Sequence, residues 1–252
     1  RDAAADQAVL AALLAPRGIG LETGLRPGSF RPRWPLDRAR PVTLLILTNS
    51  RERRVEGRGT LLLVQNLVRS ILERSSYPAL RILVVDDGLM PEAARRELEG
   101  EGVTLRTYRA AGAFNFSHKL NRSLELVESE DVIILNDDLE VISPDWVEAL
   151  LEQSRRPEIG AVGARLLFDN GELQHAGMAL GVKSAAGHLF YRLPRDAQSY
   201  GGHSEIQRNY AAVTAAVMAT RLSLLRQVGG FDEGLRIDFN DVDYCLKLGQ
   251  LG

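Results

Sequence analysis

At 252 residues, with 45% hydrophobic and 25% charged side chains, the chain suits one large globular domain or a domain with an appendage. Its net charge of -2 gives no general attraction to nucleic acid or to an anionic membrane surface, and a single cysteine, Cys245, excludes an internal disulfide and favours a reducing compartment. The longest apolar run near the start, residues 8–15, is far short of the ~20 residues that cross a bilayer and lacks the layout of a signal peptide.

The first forty residues read as a lead-in: a short helix over 6–15, then a stretch whose prolines and glycines favour extended structure. From Pro41 the pattern changes. Residues 42–48 predict a strand, and 60–75 predict a helix with Leu63, Leu67 and Ile71 on one stripe. A second apolar strand, 80–88, ends in acids. Helix 91–100 opens with Pro91 and closes with Gly100, as capping preferences require. A strand over 103–108, an amphipathic helix over 116–129 and a buried strand over 132–135 follow. Helix 143–156 starts with Ser143 as N-cap and Pro144 at its first position. This alternation argues for a mainly parallel sheet with helices on both faces.

After residue 157 the rhythm differs. Two apolar stretches, 159–168 and 172–182, flank Asp169, Asn170 and Gly171, a hairpin signal. Residues 181–209 read as a long loop or lid, 211–220 as a strand of small residues, 223–233 as a short helix stopped by glycines, and 239–250 as a final helix with Asn240 at its cap. The predicted fold class is α/β, with a Rossmann-like front half and a smaller mixed β region behind it.

In open α/β sheets, ligands bind outside the carboxyl ends of strands. Asp86 and Asp87 end one predicted strand, and Asn136, Asp137 and Asp138 end another. Hard oxygen ligands in such a place suit Mg²⁺ or Mn²⁺, which in turn suit a substrate diphosphate. One acidic pair alone reads equally well as a polar turn. Two pairs in one sheet are harder to dismiss.

The runs VVDDG, FNFSHKLNRSLE, ILNDDLEVISPDW, NGELQHAG, NYAAVTAAVMATR, VGGFDEGL and FNDVDYCLKL occur in this order. Together they resemble family 2 glycosyltransferases, above all bacterial members that extend surface polysaccharides, including rhamnosyltransferase-like proteins. The resemblance covers 41–252 and implies a GT-A catalytic domain there, behind a 1–40 lead-in. It implies an inverting transfer from a nucleotide-diphosphate sugar to a saccharide or lipid-linked saccharide acceptor, with Mn²⁺ or Mg²⁺ as cofactor. Such enzymes work in the cytoplasm or at the inner face of the cell membrane.

Carried onto this sequence, the resemblance makes Asp138 the metal ligand and gives Asp137 the ribose, with Asn136 where the family often has Asp. Thr48 and Asn49 fall near the nucleotide, and Asp86 or Asp87 would accept a hydrogen bond from the base. Asn115, Lys119 and Asn121 would face the donor, Lys119 countering diphosphate charge. Asn240 and Asp241 match the family's acidic pair, Asp241 being the catalytic base. His175 and His188 match acceptor-side positions.

Two departures stand out. The turn after the first strand is longer and more basic than the family's, with Arg51, Arg53, Arg54 and Arg58. The family's chain also continues past the final helix with a strand whose histidine completes the metal site, so 1–252 reads as a fragment and weak metal binding is expected of it. Rival readings are a non-catalytic nucleotide- or glycan-binding domain and a phosphoryl-transfer domain. Asn136 at the strand tip, where a phosphatase of that kind needs a nucleophilic Asp, argues against the latter.

Overall fold

A computed structural model describes residues 2–110, 112–182 and 185–252. Its centre is strand β1 (Val42–Thr48), buried at every residue. Val42, Leu44 and Ile46 join one hydrophobic core, while Leu45 and Leu47 join another. That split is the period-two consequence of a strand covered on both faces. Strands β2 (Leu80–Asp86), β3 (Thr104–Thr107), β4 (Asp131–Asn136), β5 (Ala161–Gly163) and β6 (Val217–Arg221) complete a sheet ordered β3-β2-β1-β4-β6-β5. The first four strands are parallel, and β6 runs antiparallel to both of its neighbours.

After an N-terminal helix, α1 (Ala3–Leu14), helices α2 (Leu63–Arg74), α3 (Glu92–Gly100) and α5 (Trp146–Ser154) pack on one face through Leu67, Leu98 and Leu150. Helices α4 (Phe116–Leu124), α6 (Leu222–Gln227) and α7 (Asn240–Gly249) cover the other through Leu120, Leu225 and Tyr244. Cys245 is half-buried against the Val213 carbonyl, and burial pushes its thiol up to about 11. The chain builds outward from β1 to β3 and then crosses back to β4. The crevice at the carboxyl ends of β1 and β4 is therefore the topological switch point.

Several predicted boundaries move. Residues 60–62 are strand rather than helix, because Glu52–Val55 pairs with Gly59–Leu62 around Gly57 and Gly59, both at positive φ. Helix α4 stops at Leu124, five residues before the predicted 129. Helix α5 begins only at Trp146, with Asp145 at its N-cap, so Ser143 and Pro144 precede it. In α7, Asn240 is the first helical residue and Phe239 occupies the cap at φ +61. The predicted hairpin forms between Leu166–Leu167 and Leu173–His175, but Ala161–Gly163 joins the main sheet instead. The stretch 181–209 is not a free loop: Ala186–His188 pairs with Met178–Leu180, and the Leu193 carbonyl accepts from the Leu173 N–H.

The lead-in folds onto the domain. Gly20–Thr23 pairs with Phe30–Arg33, and the end of that strand and the segment after it supply cations to carboxylates buried beneath them. Arg33 meets Glu152 at 2.8 Å, Arg38 meets Glu148 at 2.8 Å, and Arg40 meets Asp131 at 3.0 Å. Asp131 also takes Arg155 at 3.0 Å, and Arg155 in turn donates to the Asp37 carbonyl.

Candidate active site

Three strands deliver polar side chains to the switch point as their apolar runs end. At the end of β1, the Thr48 hydroxyl donates to Asp137 at 2.6 Å and accepts the Ser50 N–H at 2.8 Å. Ser50, held at φ +54, turns its own hydroxyl onto Asp86 at 2.5 Å. Asp86 is fully buried; its second oxygen accepts the N–H groups of Gly88 and Met90, with Arg95 at 3.7 Å. Both Asp86 oxygens are therefore committed within the protein. Asp87 differs: among the described residues it accepts at Oδ1 alone, from Lys119 at 2.6 Å.

Lys119 rises from α4 into this ring and is 1% exposed. Its ammonium also donates to the Thr48 carbonyl at 2.7 Å, so one cation ties the ends of β1 and β2 together. Burial lowers its pKa, and the charge and hydrogen bond of Asp87 act against that shift. The side chain lies 5.8 Å from the ring of Tyr108, whose hydroxyl bonds His118 Nδ1 at 2.7 Å.

Beyond β4, Asp137 is buried and Asp138 is exposed. Burial raises the Asp137 carboxyl most; the Thr48 hydroxyl opposes this, the Asp138 charge adds to it, and the Arg51 charge pulls it back. The Asn136 N–H donates to the Ala216 carbonyl at 3.0 Å. One residue upstream, the Ala215 N–H donates to Asp241 Oδ2 at 3.1 Å, and the Val242 N–H reaches Oδ1 at 2.8 Å. Two consecutive residues, Ala215 and Ala216, thus join the first turn of α7 to the acidic tip of β4.

The remaining candidates sit as follows. Asn49 is exposed beside Ser50. Asn115 caps α4 by accepting from the His118 N–H and donates to the Glu233 carbonyl. Asn121 makes a two-way bridge with the Phe231 backbone at 2.8 and 2.9 Å. Both asparagines fasten the segment that leads into α7. Asn240 is buried and donates to the Ile237 carbonyl. His175 and His188 meet Nδ1 to Nδ1 at 2.9 Å, with His175 at 1% exposure. Burial and the neighbouring His188 push the His175 pKa down to about 3.

A cleft of about 2380 Å³ is lined by Asn136, Asp137 and Asp138 and runs past Arg53, Arg165 and His175. Thr48, Asp86, Asp87 and Lys119 lie outside its wall. Nothing in the sequence marks Ser50, Tyr108, Ala215 or Ala216. Their part in the site comes from a positive φ, an edge-strand contact and two main-chain N–H and C=O groups, none of which has a side-chain signature. Among the described residues, no three His, Cys, Asp or Glu side chains group as a ready-made metal cage. Among them, too, no helix is long and apolar enough to cross a membrane.

The family model described as Glycosyl transferase family 2 matches residues 61–213. An uncharacterized protein of Sinorhizobium fredii, y4gI, is 34% identical over 241 residues, which are 94% of this chain and 25% of that protein. The O-antigen biosynthesis protein RfbC of Myxococcus xanthus is 33% identical over 242 residues, 95% of this chain and 18% of that protein. The chain thus spans a quarter or less of the length of these relatives. Among solved structures, the mannosyltransferase PcManGT from Pyrobaculum calidifontis, in complex with GDP-Man and Mn²⁺, superposes with a TM-score of 0.55 at 18% identity. That likeness covers 87% of this chain and 55% of the other.

Proposed function

Because the chain belongs to glycosyl transferase family 2 and has the GT-A fold, we propose that it transfers a sugar from a nucleotide-diphosphate donor to a saccharide hydroxyl, with inversion, in bacterial surface polysaccharide synthesis. The observation that supports this reading is the Ala215–Ala216 link, which joins the Asp241 carboxylate through two consecutive backbone residues to the Asn136 N–H at the end of β4. A base and a donor-binding acid must share one crevice if an acceptor oxygen is to meet the anomeric carbon.

In this reading the donor lies across the switch point. Asp87, whose Oδ2 has no partner among the described residues, takes the base N–H, and Asp86 serves as the hub of the turn that presents it. Asp137, steadied by Thr48, takes the ribose. Asp138 offers an exposed hard oxygen, which fits a Mg²⁺ or Mn²⁺ ion that keeps most of its waters and also binds substrate phosphates. When bound, such an ion supplies charge that neutralises the departing diphosphate.

Asp241 then accepts the proton of the acceptor hydroxyl while that oxygen forms its bond to C1 from the face opposite the breaking C1–phosphate bond. The nucleoside diphosphate leaves with the bonding electrons. Two backbone N–H groups fix the carboxylate, and each oxygen keeps a lone pair for the proton. The transition state is oxocarbenium-like, as in glycoside hydrolysis. The lipid-linked or free saccharide acceptor occupies the large cleft beyond Asp138, where His175 lies.

A panel of nucleotide sugars tested for binding with Mn²⁺ and with EDTA, followed by NMR of the transferred anomeric centre, decides the matter. Metal-enhanced binding and an inverted product are expected. Binding that ignores metal, or a product with retained configuration, would overturn the corresponding half of the reading.

A further inference from the structure

Between β1 and α2 the chain makes a hairpin, Glu52–Val55 against Gly59–Leu62, that with the preceding residue carries Arg51, Arg53, Arg54 and Arg58. The match to the family begins at residue 61, so the first strand and turn of this hairpin lie outside it. The hairpin is nevertheless firmly placed. Arg58 donates to Glu140 at 2.6 Å and to Asn66 at 2.6 Å, while Arg74 takes the other Glu140 oxygen at 3.0 Å. Glu140 stands two residues after Asp138, so the hairpin is fastened beside the acidic tip of β4.

Arg53 and Arg54 line the same cleft as Asp137 and Asp138. Arg51 follows Ser50, whose N–H donates to the Thr48 hydroxyl, and its own carbonyl accepts the Leu63 N–H at 3.1 Å, which fixes it between the end of β1 and the hairpin. All three arginines are exposed, and among the described residues no carboxylate pairs with them. Four further cations near these strand tips are already engaged: Lys119 by Asp87, Arg95 beside Asp86, and Arg58 and Arg74 by Glu140. Among the described residues, Asp137 and Asp138 are the acids here that no cation pairs, and they repel a diphosphate that enters. Guanidinium groups counter that field and match phosphate oxygens two at a time.

We propose that Arg51, Arg53 and Arg54 form a diphosphate-binding arm that grips the donor's diphosphate beside Asp137 and Asp138. The assignment rests on the donor reading given above. The arm acts with a bound divalent ion, each supplying part of the positive charge. Its position at the end of β1, next to the nucleotide side of the crevice, favours the donor diphosphate over one carried by an acceptor.

The test compares the parent chain with the triple variant Arg51→Gln, Arg53→Gln, Arg54→Gln by calorimetry at fixed Mg²⁺. The probes are UDP, GDP, uridine, guanosine and inorganic diphosphate. The arm predicts that nucleoside diphosphates lose about tenfold or more in affinity, the scale of one lost charge-assisted hydrogen bond, while nucleosides bind as before. A second triple variant, Arg17→Gln, Arg122→Gln, Arg226→Gln, removes equal charge elsewhere and should leave every affinity unchanged. Diphosphate affinity within about twofold of the parent, or an equal loss in the second variant, would overturn the arm. If the parent binds neither nucleosides nor their diphosphates, the donor reading fails and inorganic diphosphate judges the arm alone. Its selective loss from the hairpin variant supports the arm, and its indifference or failure to bind overturns it.

Discussion

His175 carries a pH dependence that its surroundings dictate. Its Nε2 accepts the Gly177 N–H at 3.3 Å, so Nδ1 must hold the ring proton and donate to His188. A second proton would have to displace one of these bonds in a buried site, and the folded pKa falls from 6.5 to about 3. The unfolded chain therefore takes up the proton first. Stability from this group is complete above pH ~6.5 and declines as pH drops toward about 3, by up to ~1.4 kcal/mol per pH unit. Between pH ~6.5 and pH ~5 the expected loss is ~2 kcal/mol, and urea melts of His175→Gln should show a flatter profile. Parallel profiles for parent and variant would refute the assignment. The acids at the end of β4 make a second prediction. Asp138→Asn should weaken Mn²⁺-dependent nucleotide binding by about tenfold or more, since a hard cation depends on ligand charge. Asp137→Asn, whose oxygen is already held by Thr48, should weaken it less; equal losses, or a loss at Asp137 alone, would overturn the assignment of Asp138 as the metal ligand. These acids are legible in the sequence because an apolar strand that ends abruptly in carboxylates is a local signal. The work of Asn115 and Asn121 is not, because their partners lie 118 and 110 residues downstream.

Helix α7 makes a sharper separation between chemistry and scaffold. Asp241 is oriented by main-chain donors, one of them from the segment before β6, whereas Asp243 pairs with Lys247 one turn on at 2.8 Å. Asp241→Asn should fold normally and bind donor nucleotide, yet lose ~10²-fold or more in transfer rate, the scale of a missing general base. Asp243→Asn should cost only ~0.5 kcal/mol, as partly exposed i,i+4 pairs do, and leave turnover per folded molecule intact. Melting, nucleotide binding and sugar transfer on both variants check this, and near-normal transfer by Asp241→Asn would remove it as the base. Among the elements, the long strands are plain in the sequence because burial on both faces demands an unbroken apolar run. The 52–62 hairpin is hidden because Leu61 and Leu62 continue the apolar run of α2, and only the positive-φ glycines interrupt it. The cap of α7 is hidden for a different reason. Asparagine is a favoured cap, which points to Asn240, but that side chain reaches back to the Ile237 carbonyl from inside the helix. Phe239 takes the cap at φ +61, a conformation that bulky side chains seldom adopt and that no sequence pattern assigns to them.

At the scale of the whole molecule, the N-terminal segment acts as a counter-charge for the domain. Arg33, Arg38 and Arg40 neutralise Glu152, Glu148 and Asp131, which are 4%, 5% and 0% exposed and would otherwise lack enough cations along α5 and at the base of β4. Removing one partner of a buried pair costs ~3–5 kcal/mol, because the remaining charge has lost both water and counter-ion. Arg33 is a quarter exposed and Arg31 also acts on Glu152, so Arg33→Ala should lower stability by ~1–3 kcal/mol in a urea melt, and an unchanged midpoint would show that Glu152 needs no such partner. Deleting residues 2–40 should abolish a cooperative transition at neutral pH; a sharp, near-parental melt of 41–252 would show that the segment is dispensable. Composition and extended character are legible for these residues, but this role is not. Each arginine reads locally as a solvated charge, and two of the three find their acids over a hundred residues away.

Strands β5 and β6 lie side by side, with Gly163 opposite Met218. The described residues between 164 and 216 therefore depart from and return to one edge of the sheet, and the two ends of this stretch are held together by that pairing. Closing a loop whose ends are already fixed depends only weakly on its length. A change of length between Gly163 and Thr214 should therefore cost little in loop closure, while the Ala215–Ala216 link and the β1–β4 crevice stay as they are. Descent in this family should accordingly leave two clocks in one gene, a slow one for the crevice and a faster one for the excursion that begins after Gly163.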